Sequence, residues 1–209
     1  MGRRRIGVFG GTFDPVHYGH LAAAVGAAWL VGLERVLLVP AGEPPHKTGH
    51  PVTPAAHRLA MVRLAAADNP LFEICELELE RPGPSYTVDT MAELERRHPD
   101  WDLVFLTGLD GLLAIETWHE YRRLLTGWPL VAIVRPGVPL EGWEALRRRL
   151  GPELTARVRI VETPGVAVSA SDLRARARAG YPLTYLVPPG VEEYIRKNGL
   201  YRGHEGGPG

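Results

Sequence analysis

Short runs of apolar residues alternate along the chain with longer stretches in which apolar residues recur every three or four positions. The short runs predict buried strands, and the longer stretches predict helices that turn one face to the core. Six strands are expected, at residues 6–9, 36–39, 72–79, 103–106, 130–134 and 158–161. Helices are expected between and after them, at residues 18–31, 54–66, 86–97, 143–150, 169–179 and 191–197.

The order of these elements determines the expected fold class. Strands that are separated by helices rather than by tight hairpins imply parallel pairing, because parallel strands need long crossover connections. We therefore expect an α/β fold, with a Rossmann-like, doubly wound, mainly parallel sheet and helices on both faces. The 209 residues suit one domain, and no linker or repeat divides them. A single domain over residues 1–202 and a disordered tail over residues 203–209 are expected.

Three local sequence signals predict two helix caps and the burial of one residue. Thr53 precedes Pro54, which predicts a helix that Thr53 caps and that begins at the proline. Thr117 and Glu120 predict a capping box at the start of a further short helix. The single cysteine, Cys75, lies within the apolar alternation of the third strand, so we expect a small buried residue.

Charge and hydropathy limit the kinds of partner that the protein is expected to bind. The chain has 24 basic and 24 acidic residues, so no overall positive field attracts nucleic acid, and anionic ligands must be held by local features. Charged residues, Pro or Gly interrupt every apolar stretch before it reaches the roughly 20 residues of a membrane span. Residues 6–9 are too short for the apolar part of a signal peptide. We expect a soluble, cytoplasmic protein without a membrane or nucleic-acid partner, and a homo-oligomer stays open.

The turn after the first strand carries the strongest chemical signal. It reads GGTFDPVHYGH over residues 10–20, at the place where open parallel sheets bind ligands. Gly10 and Gly11 leave room for a phosphate or sugar beside the backbone, and the helix that follows offers free N–H groups. His17 and His20 are three residues apart, so both imidazoles can donate hydrogen bonds to one phosphate. An ordinary glycine turn with two surface histidines is the alternative.

Four further segments contain candidate ligand-binding residues. Each also has a plain structural explanation: a solvated loop lysine, simple helix capping, a tryptophan in the core, or a Ser-x-x-Asp cap with a solvated arginine. The segments are Pro44-Pro45-His46-Lys47, the helix start Ser85-Tyr86-Thr87, Gly108-Leu109-Asp110 with Trp118 and His119, and Ser169-Ala170-Ser171-Asp172-Leu173-Arg174.

The first turn resembles the G-x-F-D-P-x-H-x-G-H signature of the nucleotidyltransferases that attack the α-phosphorus of nucleoside triphosphates. Taken in order across almost the whole chain, the five segments resemble the bacterial nicotinate mononucleotide adenylyltransferase family. The ending, with residues 185–191 and 198–201, is also similar to that family and differs from phosphopantetheine adenylyltransferases. The chain departs from the family at Ser171, where Thr is more usual, and at His119, where some relatives have Tyr.

The resemblance implies transfer of AMP from ATP to nicotinate mononucleotide, which gives nicotinate adenine dinucleotide and pyrophosphate in NAD biosynthesis. His17 and His20 would be the catalytic charge stabilisers, and Mg²⁺ would arrive on the ATP phosphates without a protein ligand. The residues that the resemblance assigns to ATP are Gly10, Gly11, Thr12, Phe13, His17, His20, Gly108, Asp110, Ser169, Ser171 and Arg174. Those assigned to the mononucleotide are Lys47, Ser85, Tyr86, Thr87, Trp118 and His119.

Three alternatives stay open at this point. The mononucleotide could be the amide rather than the acid, because one exocyclic group decides between them. The chain could be a nucleotide-binding regulator that kept the fold without the chemistry. A zinc site could be built from His17, His20, His46, His50 and His57, although no Cys pair or H-E-x-x-H spacing supports it.

Overall fold

The computed structural model of the chain describes residues 2–43 and 52–202. Its six strands form one parallel sheet in the order β3-β2-β1-β4-β5-β6. The strands are β1 (Arg4–Gly11), β2 (Arg35–Pro40), β3 (Phe72–Ile74), β4 (Trp101–Gly108), β5 (Leu130–Val134) and β6 (Val158–Glu162). The chain therefore moves outward from β1 to one edge, returns to β4 beside β1, and continues to the other edge.

Helices connect these strands on both faces of the sheet. They are α1 (Tyr18–Val31), α2 (Ala55–Ala66), α3 (Leu77–Glu80), α4 (Thr87–Arg97), α5 (Leu109–Leu113), α6 (Tyr121–Gly127), α7 (Glu141–Thr155), α8 (Ala170–Arg178) and α9 (Pro189–Lys197). A short 3-10 helix, Ile115–Thr117, lies between α5 and α6. Within the described ranges, no helix is long and apolar enough to cross a membrane.

Two buried clusters lie on opposite faces of the sheet. Ile6 and Val8 pack with residues of α4 to α7, whereas Phe9 packs with residues of α1, α2, α8 and α9. The alternation along β1 follows from the two-residue period of a strand. The parallel pairing and the helices on both faces confirm the expected doubly wound fold. Every described strand belongs to this one sheet. The single domain over residues 1–202 stays a prediction, and residues 203–209 lie outside the described part.

The third strand is shorter than its apolar pattern predicts. It ends at Ile74, and Leu77–Glu80 form one helical turn instead of a continued strand. Cys75 is partly buried just after the strand, where its N–H donates to Leu38 O at 3.0 Å. The turn buries both Leu77 and Glu78, so tertiary packing overrides the local alternation here.

Both predicted helix caps are wrong. Helix α2 begins at Ala55 with Pro54 as its N-cap residue, and no side chain caps it. The backbone N–H of Thr53 donates to Asp14 Oδ2 at 3.2 Å. Thr117 Oγ1 donates to Ala114 O at 2.8 Å within its own turn. Glu120 has a left-handed backbone with φ of 47° and gives α6 no side-chain cap. Both α2 and α6 therefore begin without a side-chain cap from the predicted residue.

Candidate functional site

A cleft of about 590 Å³ opens at the carboxyl ends of β1, β4 and β5. The strand order reverses between β1 and β4, which is the position where open α/β sheets bind ligands. Loops after four strands and the start of α1 form its wall. The predicted site residues that line it are Gly10, Gly11, His17, His20, Gly108, Asp110 and Ser169.

The two histidines stand together at the start of α1. His17 is the N-cap residue, and its Nδ1 accepts from His20 N–H at 3.3 Å. The imidazole rings are stacked, with 3.7 Å between their centroids. A Cβ at Gly19 would lie 2.9 Å from His17 Nδ1 and 3.1 Å from a Val168 methyl group, so only glycine fits between the histidines. The spacing of the motif therefore follows from the packing of these rings.

Burial sets the protonation of His17. Only 5% of the residue is exposed, and this burial lowers its pKa to about 4, against a smaller opposing effect of a backbone hydrogen bond. The ring is therefore neutral at pH 7. Because Nδ1 accepts from a backbone N–H, the proton of the neutral ring lies on Nε2. His17 thus offers one neutral N–H donor to a ligand.

The lowered pKa predicts a loss of stability in acid. The unfolded chain takes up a proton near pH 6.5 and the folded chain only near pH 4, so the contribution of His17 is present above pH 6.5 and is lost as pH falls to 4. The full effect corresponds to about 3 kcal/mol. Urea unfolding at several pH values would measure it, and His17→Asn should have a flatter profile than wild type over this window. Parallel profiles for the two proteins would contradict the assignment.

The remainder of the first turn supports the cleft from behind. Phe13 is buried, with φ of 49°, and its ring meets His20 edge-on with 5.2 Å between centroids. The same ring lies over Gly11, where a Cβ would be 3.1 Å from it. Thr12 and Phe13 are not part of the cleft wall, so their predicted contact with ATP stays a prediction. Phe13 fixes the position of the His20 ring.

An arginine that the sequence analysis missed holds this turn in place. Arg58 on α2 is 1% exposed and donates to three backbone carbonyls. Nε donates to Thr53 O at 2.9 Å, Nη1 to Thr12 O at 2.9 Å, and Nη2 to Gly42 O at 3.0 Å. Burial lowers its pKa, and the nearby Asp14 carboxylate opposes that effect. The signal in the sequence was an arginine directly before the apolar residues 59–62 of the helix.

The loop after β4 forms the opposite wall. Gly108 ends the strand, and Asp110 lies exposed in the first turn of α5, which the sequence analysis did not predict. A Cβ at Gly111 would lie 2.3 Å from Thr107 Oγ1, so this turn also needs glycine. Beyond it, Arg135 after β5 and Thr163 after β6 line the cleft as well. No motif in the sequence indicated either of these two residues.

The predicted phosphate-binding segment begins α8. Ser169 caps the helix, with its Oγ accepting from Asp172 N–H at 3.1 Å, and it lines the cleft. Arg174 points to the first turn, because its Nη1 donates to Asp14 O at 2.7 Å. Its Nη2 lies 3.5 Å from the Oγ of Ser171. The structure thus brings Arg174 to the same turn that carries the histidines.

The predicted mononucleotide residues form a second group. Tyr86 stacks on His119 with 4.2 Å between centroids, next to Thr87, the first residue of α4. Trp118 is partly buried, meets Phe105 edge-on at 5.8 Å, and belongs to the margin of the core. Its role in stacking on a ligand stays a prediction. Lys47 lies outside the described residues.

Buried hydrogen bonds join this group to the loop after β2. Ser85 is 7% exposed, and its Oγ accepts from Gly42 N–H at 3.1 Å. Glu78, which the sequence analysis did not select, lies beneath it and accepts from Thr90 Oγ1 at 2.8 Å. Burial raises the pKa of Glu78, and the hydrogen bond from Thr90 opposes that effect. Ser85 therefore fixes the loop, in addition to preceding the helix.

Comparison with known proteins agrees with this geometry. Residues 8–176 match the model of the family described as cytidylyltransferase-like. A probable nicotinate-nucleotide adenylyltransferase of Symbiobacterium thermophilum is 55% identical over 206 residues, which cover 98% of this chain and 99% of the relative. The chain belongs to the nicotinate-nucleotide adenylyltransferase family. A relative of the same description from Thermus thermophilus is 46% identical, with 95% of this chain and 100% of that protein covered.

Solved structures support the fold of this adenylyltransferase family member. Plasmodium falciparum nicotinic acid mononucleotide adenylyltransferase complexed with NaAD superposes with a TM-score of 0.76 at 19% identity, over 95% of this chain and 97% of that one. The complex of the same Plasmodium protein with APC gives a TM-score of 0.74 at 19% identity over the same shares of the two chains. At this identity the likeness concerns the fold alone.

The side chains that could bind a metal ion indicate how this adenylyltransferase could hold Mg²⁺. Among residues 2–43 and 52–202, no group of three or more His, Cys, Asp or Glu side chains could hold an ion. Of the described residues that line the cleft, Asp110 and Asp172 are acidic. Such a set fits Mg²⁺ that is held mainly by water and substrate phosphates. For the zinc alternative, His57 Nδ1 lies 2.9 Å from the Tyr194 hydroxyl, and His46 and His50 lie outside the described residues.

Proposed function

We propose that the protein is a nicotinate-nucleotide adenylyltransferase that moves AMP from ATP to nicotinate mononucleotide and releases pyrophosphate, as a cytoplasmic step of NAD biosynthesis. The observation that carries this proposal is the stacked pair His17 and His20 at the start of α1, at the wall of the switch-point cleft. The relatives that cover almost the whole chain bear the corresponding name.

ATP would lie along the cleft with its α-phosphate at the histidines. Gly10 and Gly11 carry no side chain there, and Gly10 has open space where a Cβ would stand. The Asp110 carboxylate can accept from a ribose hydroxyl at the end of β4. The β- and γ-phosphates would lie toward α8, where Ser169, Ser171 and Arg174 offer two hydroxyls and a guanidinium.

The mononucleotide would approach from the side of α4. Tyr86 and His119 already stack on one another, and Trp118 meets Phe105 of β4 edge-on, so flat rings border this region. The N–H groups around Thr87 at the start of α4, together with that of His119, would receive the nicotinate carboxylate. Lys47 would contact a phosphate of either substrate.

The proposed step is an in-line displacement. A 5′-phosphate oxygen of the mononucleotide attacks the α-phosphorus of ATP, and the bond from that phosphorus to the oxygen bridging to the β-phosphorus breaks. Pyrophosphate leaves with the electron pair. The attacking phosphate is already ionised, so no general base is needed and catalysis rests on positioning and charge stabilisation. His17 Nε2–H and the His20 ring would stabilise the charge on the transferring group, and Mg²⁺, when bound, would neutralise pyrophosphate charge.

Comparing the acid and amide mononucleotides tests the substrate assignment. N–H groups that receive a carboxylate make charge-assisted hydrogen bonds, which an amide lacks in part, so kcat/KM for the acid should exceed that for the amide by about 10- to 100-fold. Dinucleotide formed from ATP and Mg²⁺ with each substrate would be quantified chromatographically. Equal or greater kcat/KM for the amide would replace the proposed substrate. Turnover with neither would leave a nucleotide-binding protein.

A further inference from the structure

Tyr201, a residue that follows α9, makes a hydrogen bond to the turn that carries His17 and His20. The Tyr201 hydroxyl lies 2.7 Å from Asp14 Oδ1, which joins residues 187 positions apart. We propose that Tyr201 is a positioning residue for adenylyl transfer, acting through Asp14 on the turn that carries the histidines and on Arg174. This inference rests on the proposed function.

The direction of the hydrogen bond is fixed by its surroundings. A carboxylate can only accept, so the Tyr201 hydroxyl donates. Burial raises the pKa of Tyr201, and the neighbouring Asp14 raises it further, so the hydroxyl keeps its proton throughout the neutral range. Asp14 is 3% exposed. Its second oxygen accepts from Thr53 N–H at 3.2 Å, and a buried carboxylate needs both partners to stay satisfied.

Asp14 connects parts of the chain that would each contact a different substrate group. Its backbone carbonyl accepts from Arg174 Nη1 at 2.7 Å. This hydrogen bond holds in place the arginine that is proposed to bind the β- and γ-phosphates. The Asp14 side chain accepts from Thr53 N–H, and Arg58 on α2 donates to the carbonyl of the same residue. His17 comes three residues later in the same turn. A shift of Asp14 would therefore disturb the turn that carries His17 and the position of Arg174.

The chain end is folded so as to present Tyr201 to this site. After α9, Gly199 adopts a left-handed backbone with φ of 60°, and Leu200 N–H donates to Ile195 O at 3.0 Å. Tyr201 itself has φ of 64°, a conformation that non-glycine residues seldom adopt. Leu200 packs at the margin of the core. The reversal places the tyrosine beside Asp14, and Met61 Sδ lies 3.9 Å from its hydroxyl.

Tyr201→Phe tests the proposal by removing one oxygen atom and keeping the ring. We expect kcat for dinucleotide formation to fall about tenfold and KM for ATP to rise several-fold, because small misplacements at a reacting centre are costly, while the KM for nicotinate mononucleotide changes less. Tyr185→Phe is the matched control, since Tyr185 is 87% exposed, and it should leave all constants unchanged.

A double-mutant cycle with Asp14→Asn separates positioning from stability. If Tyr201 acts through Asp14, Tyr201→Phe should change kcat little once Asp14 is altered, so the two effects are strongly non-additive. A Tyr201→Phe variant with a lower melting temperature but unchanged kcat and KM would overturn the proposal, as would fully additive effects on kcat. A wild-type protein that makes no dinucleotide would instead refute the proposed function, and this inference with it.

Discussion

His20→Ala should lower kcat for dinucleotide formation by about 10²- to 10³-fold. The His20 ring is stacked against His17 and supported edge-on by Phe13 and Phe9, so it is held in place before substrate binds. A preorganised donor aimed at developing charge typically contributes this much to the rate. Steady-state kinetics with saturating ATP and nicotinate mononucleotide would measure the loss.

The control for this variant is His98→Ala. His98 lies at the end of α4 and stacks on Trp101, away from the cleft, so its loss should leave kcat within about twofold. A His20→Ala protein with kcat similar to that of the control would contradict the assigned role. A rise in KM without a drop in kcat would also contradict it, since charge stabilisation acts in the transition state.

Arg58→Met should destabilise the protein by about 3–5 kcal/mol, the usual consequence of breaking a buried charged network. The change would leave three backbone carbonyls, those of Thr12, Gly42 and Thr53, without the donor that Arg58 supplies. It would also remove the positive charge near the buried Asp14 carboxylate. Urea unfolding at pH 7 would measure the difference.

Arg63→Met on the same helix is the matched control. Arg63 forms an exposed ion pair with Glu76, and exposed pairs contribute about 0–1 kcal/mol. If both variants lost the same small amount of stability, the three hydrogen bonds of Arg58 would not support the turn as described. Thr12 lies in the first turn, and Gly42 lies in the loop after β2. Because the change removes the donor to both carbonyls, kcat of a folded Arg58 variant should fall as well.

Much of the fold could be predicted because its signals are local. The apolar runs gave six strands near their observed positions, and their separation by helices predicted parallel pairing. The local apolar pattern could not show that residues 77–80 form a helical turn, because the buried Glu78 side chain accepts from Thr90, which lies on another helix. The predicted caps were wrong because α2 begins one residue later, at Ala55, and because the Thr117 hydroxyl donates to Ala114 O within its own turn.

The residues of the candidate site also divide into those with a local sequence signal and those without one. His17, His20, Gly10, Asp110 and Ser169 were predicted from motifs, and the structure places all of them at one cleft. The residues that hold those motifs in place were missed, because each has a partner outside the local sequence pattern, 12 to 187 residues away. Three such supporting residues are Arg58, Glu78 and Tyr201.

Transfer of an α-phosphorus label is the most direct test of the proposed chemistry. The purified protein would be incubated with ATP labelled at the α-phosphorus, Mg²⁺ and nicotinate mononucleotide, and the products separated by chromatography. We expect the label in nicotinate adenine dinucleotide, with one pyrophosphate released for each dinucleotide formed. Label in ADP with release of orthophosphate, or no label in any dinucleotide, would contradict attack at the α-phosphorus.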